Sequence, residues 1–345
     1  MGYRIGSFNL KNLGQKSLGK NDQRDLAKIA KIIKDEQFDI VALQEVLSEG
    51  KAFTSTAENV KKSIMMELGE DWDFQWAQSE SQLADTRNEG YAFVWNKRRI
   101  RMATTILQNN QERTFLPRIC RIGKESMQRR PYYARFTPVG TIAGGPWIEF
   151  RLLCIHTYYG KDAKSDRVIR ECELEALMKD IYPQISDRVY RSNMPHYTII
   201  LGDYNVELWR PWKEAMRDKE NLQRRLQGKY PIPRPAYLGA DENDIIESTK
   251  WGKRRIKTAQ DEFTTLKLKY DINNGADDKD NSSDFGDRGY SHDYDHFSYE
   301  EKQFEGVKMR VRRIDAVRKY CDDDFEEYYK TVSDHIPIMM YIDFK

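Results

Sequence analysis

Polar residues able to grip a phosphate ester stand at the ends of apolar runs along this chain. Asn9 lies in Phe8-Asn9-Leu10, Glu45 closes Ile40-Val41-Ala42-Leu43-Gln44, and His156 follows Leu152-Leu153-Cys154-Ile155. Asp203 and Asn205 follow Ile199-Ile200-Leu201-Gly202, and Ser333-Asp334-His335 opens the last apolar run at Ile336. Holding a divalent cation while cleaving a phosphate ester requires such carboxylates, amides and imidazoles at the mouths of adjacent strands. The pattern is the one expected of a metal-dependent phosphoesterase.

Each residue also has a plainer explanation. Glu45 ends a strand apolar on both faces, where a carboxylate is costly unless it is paired or coordinates a cation; the alternative is an ordinary acid at the surface. Asn9 in the same kind of place is commonly a turn former. Gly202 allows close backbone approach, and the alternation of a strand puts Asp203 and Asn205 on one face, although glycine, aspartate and asparagine also make turns. His335 beside Asp334 is either a cap or a base tuned by a second carboxylate. Two partners stand open for it: Asp295, in Asp293-Tyr294-Asp295-His296-Phe297, and Asp315, in Arg313-Ile314-Asp315-Ala316-Val317.

The elements that must position these groups are readable from periodicity. Residues 4–10, 39–46, 73–78, 91–96 and 132–139 are β-branched or aromatic runs of strand length. Residues 22–37 carry Leu26, Ile29, Ile32 and Ile33 on one helical stripe. Ser55-Thr56-Ala57-Glu58 has the spacing of a capping box, opening a helix that should stop near Gly69. The second half repeats the grammar: a strand over 148–157, a helix over 165–185 and a strand over 196–205. Strands are also expected over 292–299, 307–317 and 336–344. Two sheets packed face to face with helices outside would bring the strand ends to one rim. Residues from about 206 to 290 break the pattern, with Trp209, Trp212, Trp251 and a Pro231-Ile232-Pro233 stretch, and read as an insertion or long loop with some helix.

Composition bounds the rest. With 345 residues, 39% hydrophobic, 12% aromatic and 32% charged, one enlarged domain over 1–345 is expected. No apolar run approaches a membrane span, and the start at Met1-Gly2-Tyr3 carries no signal-like leader. Cys120, Cys154, Cys172 and Cys321 are too scattered for a disulfide framework or zinc site, so free thiols and a cytoplasmic location are expected. The net charge of +2 hides basic clusters at Arg98-Arg99, Arg129-Arg130, Lys253-Arg254-Arg255 and Arg310 to Arg313.

In order, Phe8-Asn9-Leu10, Leu43-Gln44-Glu45-Val46, Arg130-Pro131, Ile155-His156-Thr157, Gly202-Asp203-Tyr204-Asn205, Tyr294-Asp295-His296-Phe297 and Ser333-Asp334-His335-Ile336-Pro337 resemble the motif series of the endonuclease/exonuclease/phosphatase superfamily, the DNase I-like fold. The resemblance covers nearly the whole chain. It implies a four-layered α/β sandwich, with two mainly antiparallel sheets face to face and helices on the outer faces. It also implies a Mg²⁺ site, with Mn²⁺ as a substitute, using Glu45 with Asn9 and Asp334. His335 would be held by Asp295, and Asp203 and Asn205 would face the scissile phosphate. Glu89 sits where the DNase I-like branch pairs a glutamate with the histidine matched by His156, and Arg130 resembles its phosphate-contacting arginine.

The chain departs from secreted members of that branch in having neither leader nor disulfide pattern. It departs from inositol-polyphosphate phosphatases at Tyr294-Asp295-His296-Phe297, where they carry Trp-Cys-Asp-Arg. The expectation is a nuclease on DNA or RNA, in which Arg130, Asn205 and His156 contact phosphate oxygens. His335 with Asp203 would activate water, or His156 with Glu89 would protonate the leaving group. The basic clusters, with Trp209, Trp212, Trp251 and Tyr230, would suit a nucleic acid backbone and bases. The alternatives are a phosphatase or phospholipid phosphodiesterase on the same site, and a catalytically inactive scaffold.

Overall fold

The computed structural model of the chain describes residues 2–13, 24–47, 53–79, 89–106, 111–122, 127–140, 147–159, 163–190, 194–206, 219, 222–227, 245–248, 252–259, 262–266 and 289–344. Its strands are β1 (Gly2–Leu13), β2 (Ile40–Leu47), β3 (Trp72–Gln78), β4 (Glu89–Asn96), β5 (Ile100–Met102), β6 (Thr104–Ile106), β7 (Glu112–Thr114) and β8 (Arg118–Ile119) in the first half. The second half adds β9 (Tyr132–Pro138), β10 (Glu149–His156), β11 (His196–Asp203), β12 (Ile245–Ser248), β13 (Gly252–Ala259), β14 (Asp295–Glu300), β15 (Lys308–Arg313) and β16 (Ile338–Asp343).

Six strands form one sheet in the order β15-β16-β1-β2-β4-β3. Eight form the other, β12-β13-β14-β11-β10-β9-β5 with β8 added beside β9. Each sheet has one parallel pair at its centre, β1 with β2 and β10 with β11, flanked by antiparallel neighbours. Parallel strands need a crossover, and helices supply both: Leu26–Asp35 between β1 and β2, and a run from Ala163 to Ser186 between β10 and β11.

β2 shows why these residues stack into layers. Ile40 and Ala42 face the second sheet, whereas Val41 and Leu43 face helices, so both sides of the strand are buried and the run is continuously apolar. Between the sheets Tyr3, Ile5, Phe93 and Trp95 meet Phe136, Phe150, Leu152 and Ile199. Outside the first sheet lie Ile29, Ile32 and Ile33 of the first helix, and outside the second lie Leu174, Leu177, Met178 and Ile181. Each such side chain contributes about 1.5–3 kcal/mol by leaving water. The result is the expected four layers.

The outer face of the second sheet also buries a charged knot. Glu149 accepts from Arg135 Nε at 3.0 Å and Arg151 Nε at 2.7 Å, and all three residues are 3% exposed or less. Arg151 Nη1 goes on to the carbonyls of Ile185 and Ser186, tying the end of the crossover helix to β10.

Several expected boundaries move. The helix after β2 spans Phe53–Leu68, so Ser55 lies inside it rather than at its cap, and it does end at Gly69, whose φ is +93°. The crossover after β10 is a helix over Ala163–Ala176, a π-helical turn over Leu177–Ile181 and a helix over Tyr182–Ser186. The strand expected over 307–317 stops at Arg313, because Asp315 caps a new helix, Ala316–Cys321, by accepting from the Arg318 amide. In the region expected to be an insertion, β12 and β13 extend the second sheet. Trp209, Trp212, Tyr230, Trp251 and the 231–235 stretch lie outside the described residues. Among the described residues no helix is long and apolar enough to cross a membrane, and the four cysteines are free thiols.

Candidate active site

The sheet topology gathers the polar strand ends. Asn9, Glu45, His156 and Asp203 lie toward the C-terminal ends of the four central parallel strands. Glu89 and Asp295 begin antiparallel neighbours, and His335 stands three residues before another, β16. Antiparallel starts and parallel ends share one rim. The two sheets therefore contribute to a single cluster.

Glu45 enters this cluster through a β-bulge. Gln44 pairs with Tyr91 and Val46 with Gly90, leaving Glu45 extra, with φ at +57°. A bulge re-aims the side chain that a regular ladder would fix, and a left-handed non-glycine residue costs about 1–3 kcal/mol. Glu45 Oε1 accepts from Asn9 Nδ2 at 3.1 Å and Oε2 from the Asn12 amide at 3.0 Å. The same Asn9 Nδ2 donates to Asp203 Oδ2 at 3.0 Å, across the sheets. Before Asp203, Gly202 has φ of +146°, and a Cβ there would lie 2.0 Å from the Ile155 carbonyl oxygen. Only glycine fits that approach. Asn205, at φ of +49°, donates from Nδ2 to the Thr157 carbonyl at 3.0 Å, and its own amide reaches Asp203 Oδ1 at 2.8 Å.

Two carboxylate–imidazole pairs face Asp203. His335 Nδ1 lies 2.7 Å from Asp295 Oδ2 and its Nε2 is 3.7 Å from Asp203 Oδ2. His156 Nδ1 lies 3.0 Å from Glu89 Oε2 and its Nε2 is 3.6 Å from the same Asp203 oxygen. Burial opposes charge on His335, but Asp295 and Asp203, then Asp334, outweigh it and bring its pKa to about 10. His156 is also raised: burial and Arg129 work against the cation, Glu89 and Asp203 for it. Burial pushes the Asp203 carboxyl up against the pull of both imidazoles. Asp315, the other candidate partner of His335, is instead occupied as a helix cap and by the Tyr290 hydroxyl at 2.7 Å.

The guanidinium that meets the Glu89–His156 pair belongs to Arg129 rather than Arg130. Arg129 Nη1 is 3.0 Å from Glu89 Oε2 and 3.1 Å from His156 Nδ1, and Nη2 donates to Glu89 Oε1 at 3.1 Å. Arg130, one residue on, is among the cations that act on the Cys120 thiol. Successive residues of an extended segment point to opposite sides, which separates the two. Glu173 supports the arrangement. This buried helix residue accepts from the amides of Gln128 and Arg129 with Oε1, at 2.6 and 3.3 Å, and from Tyr158 with Oε2 at 3.0 Å. It thereby ties together the segments that carry Arg129 and His156.

Asp334 is tied to Lys11 Nζ at 2.8 Å. Burial raises its carboxyl, yet His335 and Lys11 outweigh burial and leave it lowered. Glu45 shifts the other way: burial raises it, His156 opposes, and the nearby Glu89 and Asp334 raise it further. Its negative charge is thus poorly compensated. Among the described residues no three His, Cys, Asp or Glu side chains stand ready to hold an ion by themselves. Mg²⁺ does not require that, being bound typically by one or two carboxylates with water and substrate phosphate. The carboxylate oxygens of Glu45 suit a hard divalent cation, whereas Asn9 turns its Nδ2 toward Glu45 while its Oδ1 accepts from the Lys11 amide at 3.0 Å.

The basic clusters are largely neutralised where they stand. Arg98 pairs with Asp71 at 2.6 Å and Arg99 with Asp39. Arg254 meets Glu300 at 2.6 Å and also Asp187, and Arg255 meets Glu301 at 3.3 Å. Arg312 and Arg313 pair with Glu36 and Glu262 at 3.4 and 3.8 Å.

A comparison with curated proteins gave no match. Among solved structures, D. rerio TDP2 humanized by 14 mutations is 13% identical with a TM-score of 0.51, covering 99% of both chains. ANGEL2, a 2′,3′-cyclic phosphatase in complex with adenosine-2′,3′-vanadate, is also 13% identical with a TM-score of 0.51, covering 99% of this chain and 95% of that one. An endonuclease/exonuclease/phosphatase from Bacteroides vulgatus is 15% identical with a TM-score of 0.50 over 100% of each. At such identities the likeness is one of fold. Residues 6–335 match the model of the Endonuclease/Exonuclease/phosphatase family, and the chain belongs to that family of hydrolases acting on phosphate esters.

Proposed function

We propose that the chain is a divalent-metal-dependent phosphodiesterase, a nuclease acting on DNA or RNA, working as one domain in the cytoplasm. The convergence of the Asp295–His335 and Glu89–His156 pairs on Asp203 carries this reading. A phosphodiester resists attack because its anionic oxygens repel the nucleophile, so the site must neutralise charge and align water with the leaving oxygen.

Mg²⁺ or Mn²⁺ at Glu45, with Asn9 and Asp334 beside it, supplies neutralisation when bound. Arg129, in the place expected of Arg130, and the Asn205 amide hold the phosphate oxygens. His335, kept charged by its carboxylates, orients the phosphate and the water. Asp203, facing both Nε2 atoms, takes the proton of the attacking water. His156, whose charged form Glu89 and Asp203 favour, gives its proton to the leaving oxygen. The two imidazoles are a coupled pair through Asp203, so a pH profile would report the set.

A phosphatase on small or cyclic phosphate esters is the second reading, favoured by one observation: most basic clusters are already paired with acids. The similarity of fold to ANGEL2 is compatible with it. Single- and double-stranded DNA, RNA, a 2′,3′-cyclic nucleotide and phosphomonoesters, each tested with Mg²⁺, Mn²⁺ and chelator, separate the readings. Chelator-sensitive cleavage of a polynucleotide that His335→Ala abolishes is the expected result. Hydrolysis of small esters alone overturns the nuclease reading, and no hydrolysis of any substrate points to an inactive scaffold.

A further inference from the structure

Residues 262–266 come from the part of the sequence set apart as an insertion, yet they are stitched to both halves of the Asp295–His335 pair. On one side Thr265 forms an antiparallel bridge with His335. The Leu266 amide donates to the Asp334 carbonyl at 2.7 Å, and the Ile336 amide donates to the Thr264 carbonyl at 2.8 Å. The residues immediately before and after His335 are thereby fixed to this segment.

On the other side the segment holds the chain leading into Asp295. The Thr264 and Thr265 amides donate to the His292 carbonyl at 2.7 and 3.1 Å, and the Ser291 amide returns to the Thr265 carbonyl at 2.9 Å. The hydroxyls complete the join. Thr264 Oγ1 accepts from the Asp295 amide at 3.2 Å, and Thr265 Oγ1 accepts from the His292 amide at 2.9 Å while bonding Ser291 Oγ at 2.8 Å. Both threonines are buried, Thr264 completely.

Asp295 depends on this support. Its Oδ2 meets His335, but Oδ1 has no hydrogen-bond partner among the described residues. The β13–β14 ladder runs from Ile256 opposite Glu300 to Ala259 opposite Phe297, and so stops two residues short of Asp295. Past that point the Thr264 hydroxyl receives the Asp295 amide. A carboxylate whose second oxygen is unheld takes its position from its backbone, and that backbone is held by β11 on one side, with Asp203 opposite Asp295 and the Tyr204 amide on the Tyr294 carbonyl at 2.8 Å, and by the Thr264 hydroxyl on the other.

We infer that Thr264 and Thr265 are positioning residues that set the register of Asp295 against His335, and that the strip of chain around them is part of the active-site scaffold. This rests on the reading of the Asp295–His335 pair as catalytic. It adds the residues that hold the pair together. Neither threonine touches the reacting groups, so the effect must pass through the geometry of the pair.

The test compares Thr264→Val and Thr265→Val with Thr264→Ser and Thr265→Ser. Valine keeps the shape and removes the hydroxyl, whereas serine keeps the hydroxyl. Two readouts are taken at one pH on metal-free and Mg²⁺-loaded protein of native circular dichroism: turnover on the substrate found above, and the ¹⁵N-correlated resonance of His335 Nδ1–H. Each valine variant is expected to lower kcat by about 10²-fold with KM within about twofold, since small misplacements of a catalytic group cost that much, and to move or broaden the resonance. The serine variants are expected to stay within about threefold of the wild type. A folded valine variant with wild-type kcat and resonance overturns the inference, as does a serine variant that behaves like valine. Should one valine variant fail to fold, the other decides. Should the wild type hydrolyse nothing, the functional reading fails while the resonance still decides the positioning role.

Discussion

Asn9 and Asp203 belong to different sheets and share one hydrogen bond, from Asn9 Nδ2 to Asp203 Oδ2 over 3.0 Å. Because the same nitrogen also serves Glu45 Oε1, one neutral amide keeps two carboxylates in place without adding charge. Asn9→Asp would put a third carboxylate between them. Its expected effect is a loss of activity of about 10²-fold or more, and a melting temperature that falls as pH rises and the new acid ionises. A variant with wild-type activity and a flat pH–melting curve would show that this amide does not organise the site.

The charge state of His335 gives a pH dependence with a definite sign. Its folded pKa is raised from the ordinary 6.5 to about 10, so the stabilisation is fully present below 6.5 and lost as pH climbs through 10. His156 is raised from the same ordinary value and acts with the same sign, as do Glu45 and Asp203, whose contributions begin to fall lower, in the ordinary carboxylate range. Urea unfolding of the metal-free protein should therefore show stability falling across this window by an amount on the order of a few kcal/mol. His335→Gln should flatten the upper part of the curve. Equal slopes for wild type and variant would contradict a charged His335.

Of the neighbours Arg129 and Arg130, Arg129 is the one whose guanidinium meets Glu89 and His156. Arg129→Met strips the guanidinium from Glu89 and His156 and should lower kcat by about 10²-fold. Arg130→Met should leave it within about threefold. Steady-state kinetics on the pair decides, and the reverse ranking would bear out the expectation that Arg130 contacts the phosphate.

Glu149 neutralises two buried guanidinium groups far from the chemistry. Glu149→Gln leaves Arg135 and Arg151 without their shared counter-charge, which should cost about 3–5 kcal/mol. The readout is the denaturant midpoint. Surviving folded protein should keep its KM.

Glu45→Gly separates strain from function. The left-handed backbone at φ of +57° suits glycine, and both Glu45→Gly and Glu45→Ala lose the bonds to Asn9 and Asn12, so the glycine variant should exceed the alanine variant by about 1 kcal/mol in urea while both lose metal-dependent turnover. A glycine variant no more stable than the alanine one would place the strain elsewhere.

The strand-end residues were readable because the surrounding runs are so apolar. A carboxylate or imidazole at the end of β2, β10 or β11 stands out against Ile, Leu and Val, and the ordered set extended to Asp295. Sidedness was harder to read. The residue before a proline is biased toward extended backbone, which makes Arg129 and Arg130 point apart without saying which one faces the site. Glu173 had a signal: it lies four residues before Leu177 and eight before Ile181, a charge on an apolar stripe. β13 was hidden by its composition, since Lys253-Arg254-Arg255 and Lys257 surround the single large apolar residue Ile256. Arg254, Arg255 and Lys257 are matched by acids that follow β14 or end it, Glu300 and Glu301, which only the fold brings opposite. Thr264 left no mark either, because its partners lie about thirty residues away in His292 and Asp295.

The parallel pair at the centre of each sheet has a consequence for how this molecule fails. One layer supplies Asn9, Glu45, Glu89 and His335, and the other supplies His156, Asp203 and Asp295. Neither layer holds a working half. Slippage of one sheet over the other by the width of a methyl group would silence the protein while every strand, helix and thiol stayed as it was. A hydrolysis assay on such a chain is thus also a gauge of alignment at the seam, and core substitutions at Phe93 or Phe150 should register there before they register in a melting curve.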